Sequence, residues 1–452
     1  MGKHIAGKIT SLWFILYLSR MRQYKLFALL LLCSCYGTVY AQPKTDALLK
    51  DLFAGNHNTV LQQVLQHPET YRAQIIYTQI NRDKNNKPSF TNYYYHVDSL
   101  LYFNPASTVK LPLALLSLEK LNEQPMPGVD KFTGMQFDSG YNSLKAEYKD
   151  STSQTGLPSI AQFIRKAFLV SDNDAYNRMY EFVGQQTINR KLHEKGYPDV
   201  RISRHFWRMT ADQNRHTSNI RFIDHAGNLI YTQPPAVNTD SFDYSHINKI
   251  GIGYMDSHDS LVHEPMDFTQ HNNMSLNDYQ QLLQSVLFPS SVPEKQRFNL
   301  TRDDYAFLYQ YLSQYPAETN YPKYDSTTYY DSYVKFFFSD STHRTMPAHV
   351  RVFNKVGWAY GFLTDISYVV DFEHNIEYML TATIYANSDG ILNDDTYDFE
   401  TIAHPFMYQV GQSIYQYELL RKRTYSPDLS AFKLRYEKRI PDNRPVIKHV
   451  DN

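Results

Sequence analysis

The chain has 452 residues, with 45 Lys and Arg against 46 Asp and Glu and a net charge of −1, so no basic footprint points to nucleic acid or an acidic membrane surface. That length buries a large core and allows two or three domains. The 38 tyrosines and 26 phenylalanines are expected to pack and to line strands rather than to bind a ligand.

Residues 1–41 read as a signal segment. From Met21, an alternative start, MRQYKLFALLLLCSCYGTVYAQ offers a basic patch (Arg22, Lys25) and an apolar run at 26–32. V-Y-A at 39–41 then suits cleavage before Gln42. The apolar run is too short to span a bilayer. A second short run, SLWFILYL at 11–18, is either a longer n-region or lies upstream of the true start. In a rival reading, L-C-S-C at 32–35 is a lipoprotein site that leaves a lipid anchor on Cys35; cleavage near Ala41 is preferred. Either way the protein is expected to be exported, to a periplasm or the outside, and to meet a membrane only through that anchor. Both cysteines, Cys33 and Cys35, lie in this segment. Cleavage at Ala41 therefore leaves no disulfide, cysteine nucleophile or cysteine metal site.

TDALLKDLFAG (45–55) and NTVLQQVLQH (58–67) carry apolar residues at helical spacing, broken at Gly55 and Asn56. YRAQIIYTQINRD (71–83) and TNYYYHVDSL (91–100) predict two strands around the turn-rich NNKPS. A helix is expected from Asn104 to about Leu121. A polar stretch at 137–156 leads into a helix over PSIAQFIRKAFLV (158–170). DAYNRMYEFVG (174–184) and QTINRKLHEKG (186–196) predict two more, each stopped by glycine. From about 219 to 345 the pattern is irregular. NIRFIDHAGNLIYTQ (219–233) predicts a hairpin turning at Ala226, Gly227 and Asn228. Helices at 275–288 and 301–316 start at the N-caps Ser275 and Thr301. Strands return in AHVRVFNKVGW (348–358), TDISYVVDFEH (364–374) and EYMLTATIYAN (377–387), and a long helix follows from about 398 to 423. There is no internal repeat and no glycine-rich phosphate loop. The order implies an α/β fold: an antiparallel five-stranded sheet closed by both chain ends, flanked by N- and C-terminal helices, with an all-helical lobe from the middle of the chain. The cleft is expected where sheet and lobe meet.

Three short motifs fall at informative places in this order. In FNPASTVKLPL, Ser107 precedes Lys110 by three residues, so both share a face at the start of an apolar helix. Asn104 as N-cap and Pro105 at the first helical position would put Ser107 at the positive end of the helix dipole. A lysine buried there loses hydration, and its pKa falls toward that of a useful base. SAFK (430–433) has the same spacing, but Lys433 lies among KLRYEKR, a solvated basic tail. Ser171, Asp172 and Asn173 form S-D-N at the end of an apolar helix. Together they can relay a proton and hold a carbonyl, although capping is the simpler job for Asp172. Lys355, Val356 and Gly357 form K-V-G in a strand, where the lysine offers a cation and the glycine lets a substrate backbone lie close. A second K-x-G at Lys249 is followed by polar residues and is set aside.

S-x-x-K, S-D-N and K-x-G in this order resemble the class A β-lactamase and penicillin-binding serine enzymes. NPASTVKLPLALL, VSDNDAYN and NKVGWAYGFLTDISYVV are each similar to that family's local context, and the order of elements fits from about 45 to 425. The resemblance implies a β-lactamase-like domain over 45–425, with an inserted region at about 208–345 and a basic tail at 426–452. It implies Ser107 as the acylated nucleophile, Lys110 as its base, Ser171 as proton relay and Lys355 as carboxylate-binding and relay cation. Asn173 would hold the substrate amide, and the N–H groups of Ser107 and Trp358, which follows Gly357, would form the oxyanion hole. Asn177 would brace the neighbouring loop. A monomer without cofactor, acting on a β-lactam or cell-wall peptide, follows from the same resemblance.

The pattern departs in three places. The family glutamate that activates the deacylating water is replaced at VRISRHFW (200–207) by His205 and Phe206; His205 and Asp212 are the nearby substitutes. Val356 lacks the hydroxyl that the family uses on the substrate carboxylate. The stretch from Phe206 to Lys355 is long and carries His258, His263 and His271 in a polar loop, where they are expected to be solvent-exposed without a metal; His263-Glu264-Pro265 is expected near the cleft. Three functions remain open: a β-lactamase-type hydrolase with slow deacylation, a D-alanyl peptidase or transpeptidase, and a non-catalytic penicillin-binding sensor.

Overall fold

The computed structural model describes residues 43–124 and 126–450. The signal-segment reading, with Met21, Cys33, Cys35 and Ala41, lies outside the described residues. From Lys44 onward the chain forms one compact unit.

The helices Ala47–Ala54 and Thr59–Gln66 form where the apolar spacing places them, the second capped by Asn58, whose side chain accepts from the Leu61 N–H. Strands β1 (Gln74–Arg82) and β2 (Pro88–Tyr95) follow. At the other end of the chain come β3 (Val350–Ala359), β4 (Phe362–Asp371) and β5 (Ile376–Tyr385). They form one antiparallel sheet in the order β3-β4-β5-β1-β2, the expected five-stranded sheet closed by both ends of the chain. Every residue of β4 and β5 is buried, because the sheet is covered on both faces. Leu363 and Val369 join the core shared with the terminal helices, whereas Phe362, Ile366 and Tyr368 join that of the helical lobe. This is the alternation that a pleated strand imposes.

The lobe contains α1 (Lys110–Glu123), α2 (Ile160–Leu169), α3 (Asn173–Val183), Gln185–Glu194, α4 (Leu276–Leu287) and α5 (Arg302–Ser313). The last two start at Ser275 and Thr301 as expected. Although they lie within 208–345, they belong to the core: Leu282, Leu283 and Leu308 are fully buried and α4 packs on β4 and β5. The hairpin of Ile220–Ile223 and Leu229–Gln233 gains a third strand, Gly134–Phe137, which ends where the stretch read as polar begins. A π-turn at Phe399–Ala403 leads into α6, His404–Leu420.

Two expectations are corrected. The helix does not run from Asn104: Ala106–Val109 is a single 3-10 turn and the α-helix begins at Lys110. Asn104 turns the chain instead, its Oδ1 accepting from the Ala106 N–H at 2.8 Å. Ala106 takes a left-handed φ of 45°, a strain of about 1 kcal/mol for a non-glycine residue. The tail is not simply solvated either. Phe432 is buried, its ring 4.8 Å from that of Tyr368 and 5.4 Å from that of Phe353. Lys433 is exposed, as expected. No helix among the described residues is long and apolar enough to cross a membrane.

Candidate active site

The turn that carries Ser107 rests on the backbone of β3. A Cβ added at Gly357 would stand 2.6 Å from the Pro105 carbonyl oxygen and 2.9 Å from the amide nitrogens of Ser107 and Thr108. Gly357 therefore admits the serine turn against the strand.

α1 is apolar on nearly every side and buried from Lys110 to Glu119. Its first side chain is thereby drawn out of water. The Lys110 Nζ is fully buried, 2.7 Å from Ser107 Oγ, 2.8 Å from Asn173 Oδ1 and 3.3 Å from Ser171 Oγ, and it also donates to the Ser171 carbonyl. Burial lowers its pKa to about 7, against the opposing pull of the Asp172 carboxylate.

S-D-N divides its labour as its positions dictate. Ser171, 1% exposed and at a left-handed φ of 65°, is aimed between two lysines, with Lys355 Nζ 2.9 Å from its Oγ. Asp172 caps α3 by accepting from the Ala175 N–H at 2.8 Å. Asn173 opens that helix and faces Lys110. Lys355 also donates to the Val356 carbonyl at 2.7 Å. Burial, and then repulsion from Lys110, hold its pKa well below the ordinary lysine range. At 1% exposure Lys355 lies behind Ser171 and is not part of the cavity wall.

A cavity of about 730 Å³ opens over these groups. Ser107, Ser171, Asn173 and Trp358 form part of its wall, with Arg204 and Phe206 from the facing loop. Asn177 braces that loop, its Oδ1 accepting from the Phe206 N–H at 2.8 Å. The Phe206 ring stacks on Tyr176 at 4.2 Å, and Lys110 Nζ lies 5.2 Å from its centre. A hydrocarbon face thus stands beside the Lys110 amine.

Of the two residues near the place of the family glutamate, His205 is part of the cavity wall and Asp212 is not. His205 is 1% exposed, with Nε2 2.7 Å from Glu181 Oε1 and Nδ1 3.1 Å from Asn214 Oδ1. Asp212 is exposed, accepts from the Tyr141 hydroxyl at 2.7 Å, and is not part of the cavity wall. Sequence reasoning missed Glu181, a fully buried carboxylate that also accepts from the Ser218 N–H at 2.5 Å. The signal was there: Asn173, Asn177 and Glu181 recur every four residues and make a polar stripe on a buried helix.

The insert histidines part company. His258 and His263 are exposed, and neither His263 nor Glu264 reaches the cavity wall. His271, expected in solvent, lines the cavity with Nε2 2.6 Å from Arg204 Nη1. Burial, then the nearby Arg204 and Arg201, push its pKa down to about 3, so it stays neutral and accepts from the guanidinium. Arg204 was not singled out by any motif.

The family model for the β-lactamase enzyme family matches residues 60–235, the stretch that carries Ser107, Lys110, Ser171 and Asn173 but not Lys355. No curated protein matches the chain. Among solved structures, a β-lactamase from Sphaerobacter thermophilus is similar at 12% identity over 81% of this chain and 98% of that one, with a TM-score of 0.40. A β-lactamase from Xanthomonas campestris pv. campestris is similar at 13% identity over 81% and 97%, TM-score 0.42. PBP-A is similar at 13% identity over 80% and 96%, TM-score 0.42. By its matched segment, the chain is similar to β-lactamase-type proteins.

Proposed function

We propose that the protein is an exported serine hydrolase of the class A β-lactamase type that opens amides, β-lactam rings among them, through an acyl-enzyme at Ser107. The observation that carries this reading is the buried Lys110 amine, 2.7 Å from Ser107 Oγ, with its pKa lowered to about 7. Near neutral pH about half of such amines are unprotonated. The free amine takes the hydroxyl proton as Oγ bonds to the carbonyl carbon. The N–H groups of Ser107 and Trp358 receive the developing oxyanion. When the C–N bond breaks, Ser171 gives its proton to the leaving nitrogen and is reprotonated from the lysines that flank it. Asn173 keeps its Oδ1 on Lys110 and offers its Nδ2 to the substrate amide.

Arg204 takes the anionic group of the substrate in this scheme, because Lys355 is walled off and Val356 has no hydroxyl. Deacylation is slow, since Phe206 offers a water no base and both ring nitrogens of His205 are engaged. A chromogenic cephalosporin should give a stoichiometric burst and little turnover. Mass spectrometry of the exported protein, with and without a penicillin, reads the mature N-terminus, the lipid state of Cys35 and the adduct on the Ser107 peptide together. No adduct on Ser107 with any β-lactam or active-site serine probe would sink the reading. The same Phe206 also suits a D-alanyl peptidase or transpeptidase, and release of D-alanine from a cell-wall pentapeptide mimic separates the two.

A further inference from the structure

The other end of the sheet holds a cluster that the acylation chemistry does not use. Val350, the first residue of β3, pairs with Asp371, the last of β4. That register brings His349, from just before β3, onto the turn that carries His374. His374 Nδ1 is 2.8 Å and His349 Nε2 is 3.8 Å from the same oxygen, Asp371 Oδ2. The three donor atoms lie within 4.8 Å of one another.

The surroundings orient each group. Asp371 Oδ1 accepts from the backbone N–H groups of Glu373 and His374, both at 2.9 Å, which fixes the carboxylate. The Tyr415 hydroxyl donates to Oδ2 at 2.7 Å. Glu373 Oε2 stands 3.3 Å from His349 Nδ1, behind the ring nitrogen that faces Asp371. A brace for the turn needs only Asp371 and His374. Beyond that brace stands a second imidazole, its Nε2 3.5 Å from the Tyr415 hydroxyl and turned to the same carboxylate oxygen, its Nδ1 backed by Glu373, which is how a metal-bound histidine is held.

We propose that His349, Asp371 and His374 bind a divalent transition metal of the zinc type. Two imidazoles and one carboxylate suit zinc, cobalt or nickel, whereas calcium and magnesium call for oxygen shells. Three protein ligands leave one position for water. The imidazole side chains are 33% and 46% exposed, so the ion enters directly from solvent. It ties the start of β3 to the β4–β5 turn and, through Tyr415, to α6. Val350 and Trp358 are separated by roughly 26 Å of strand, so the metal is a clamp on the sheet and takes no part at Ser107.

The test uses the full chain stripped with a chelator and titrated with zinc or cobalt(II). One equivalent of zinc should bind by calorimetry and raise the melting temperature. Cobalt(II) should develop the visible absorption of a four-coordinate nitrogen and oxygen site. His349→Ala and His374→Ala should each weaken zinc binding at least tenfold, and Glu373→Gln should weaken it measurably while all three variants melt cooperatively without metal. Acylation of Ser107 by a penicillin should be the same with and without zinc. No saturable binding, or binding that survives both histidine variants, overturns the proposal; so does loss of acylation on stripping the metal.

Discussion

Lys110 and Phe206 meet at 5.2 Å, amine over ring centre, and the pair explains both halves of the proposed chemistry. The aromatic face helps keep water from the amine, which favours its neutral, basic form. In the proposed chemistry the same ring leaves the wall beside Lys110 without a group that could activate a water. Acylation and deacylation are thus opposed by one contact, and each can be probed alone.

Acylation should depend on pH through Lys110. Its folded pKa is depressed from the ordinary lysine value to about 7, so the free base is present above pH 7 and is lost as pH falls through it. The second-order rate of acylation by a penicillin should fall about tenfold per pH unit below 7 and level off above it. Stopped-flow rates across this range check it, and a flat profile would remove Lys110 as the base.

Phe206→Glu should restore deacylation. The Phe206 N–H is held by Asn177, so the backbone is fixed and a carboxylate there replaces the ring beside Lys110. The lifetime of the acyl adduct, followed by mass spectrometry, should shorten by about 10²-fold or more, the scale of a positioned general base.

Arg204→Ala should separate charged from neutral substrates. Hydrogen bonds to charged groups contribute about 1.5–3 kcal/mol, so acylation efficiency toward a free-carboxylate β-lactam should drop roughly 10- to 100-fold. The methyl ester of the same compound should be little affected. Equal losses for both would mean that Arg204 merely supports the loop.

Gly357→Ala should misplace the nucleophile. The added methyl would stand 2.6 Å from the Pro105 carbonyl, so strand and turn must separate. Overpacking of this kind destabilises by about 1–3 kcal/mol. Acylation should be lost in protein that still melts cooperatively, measured by calorimetry and adduct formation side by side.

The pairing of Ser107 with Lys110 and the S-D-N turn were legible because each is a local pattern. Ser107 and Lys110 share one helical turn of contacts, Asp172 is a cap, and the apolar run after Lys110 buries it whatever the rest of the chain does. The five strands were equally legible from their alternating and continuous apolar runs. Asn104 was misjudged as a helix cap because its side chain closes a turn two residues long, a choice made by the backbone of β3 lying beneath it.

Long-range pairing decided the rest. His271 and Arg204 are 67 residues apart in sequence, and nothing in a polar loop foretells that they share a cavity wall. His205 faces inward because Glu181 and Asn214 satisfy both of its nitrogens. His349 meets Asp371 and His374 only through the β3–β4 register. The sequence by itself determined which groups could do chemistry, since residue type, capping and local burial are short-range properties. Only the tertiary structure decided which of them face one another, because a hydrogen bond or a hydrocarbon contact depends on strand register and helix packing across the whole chain.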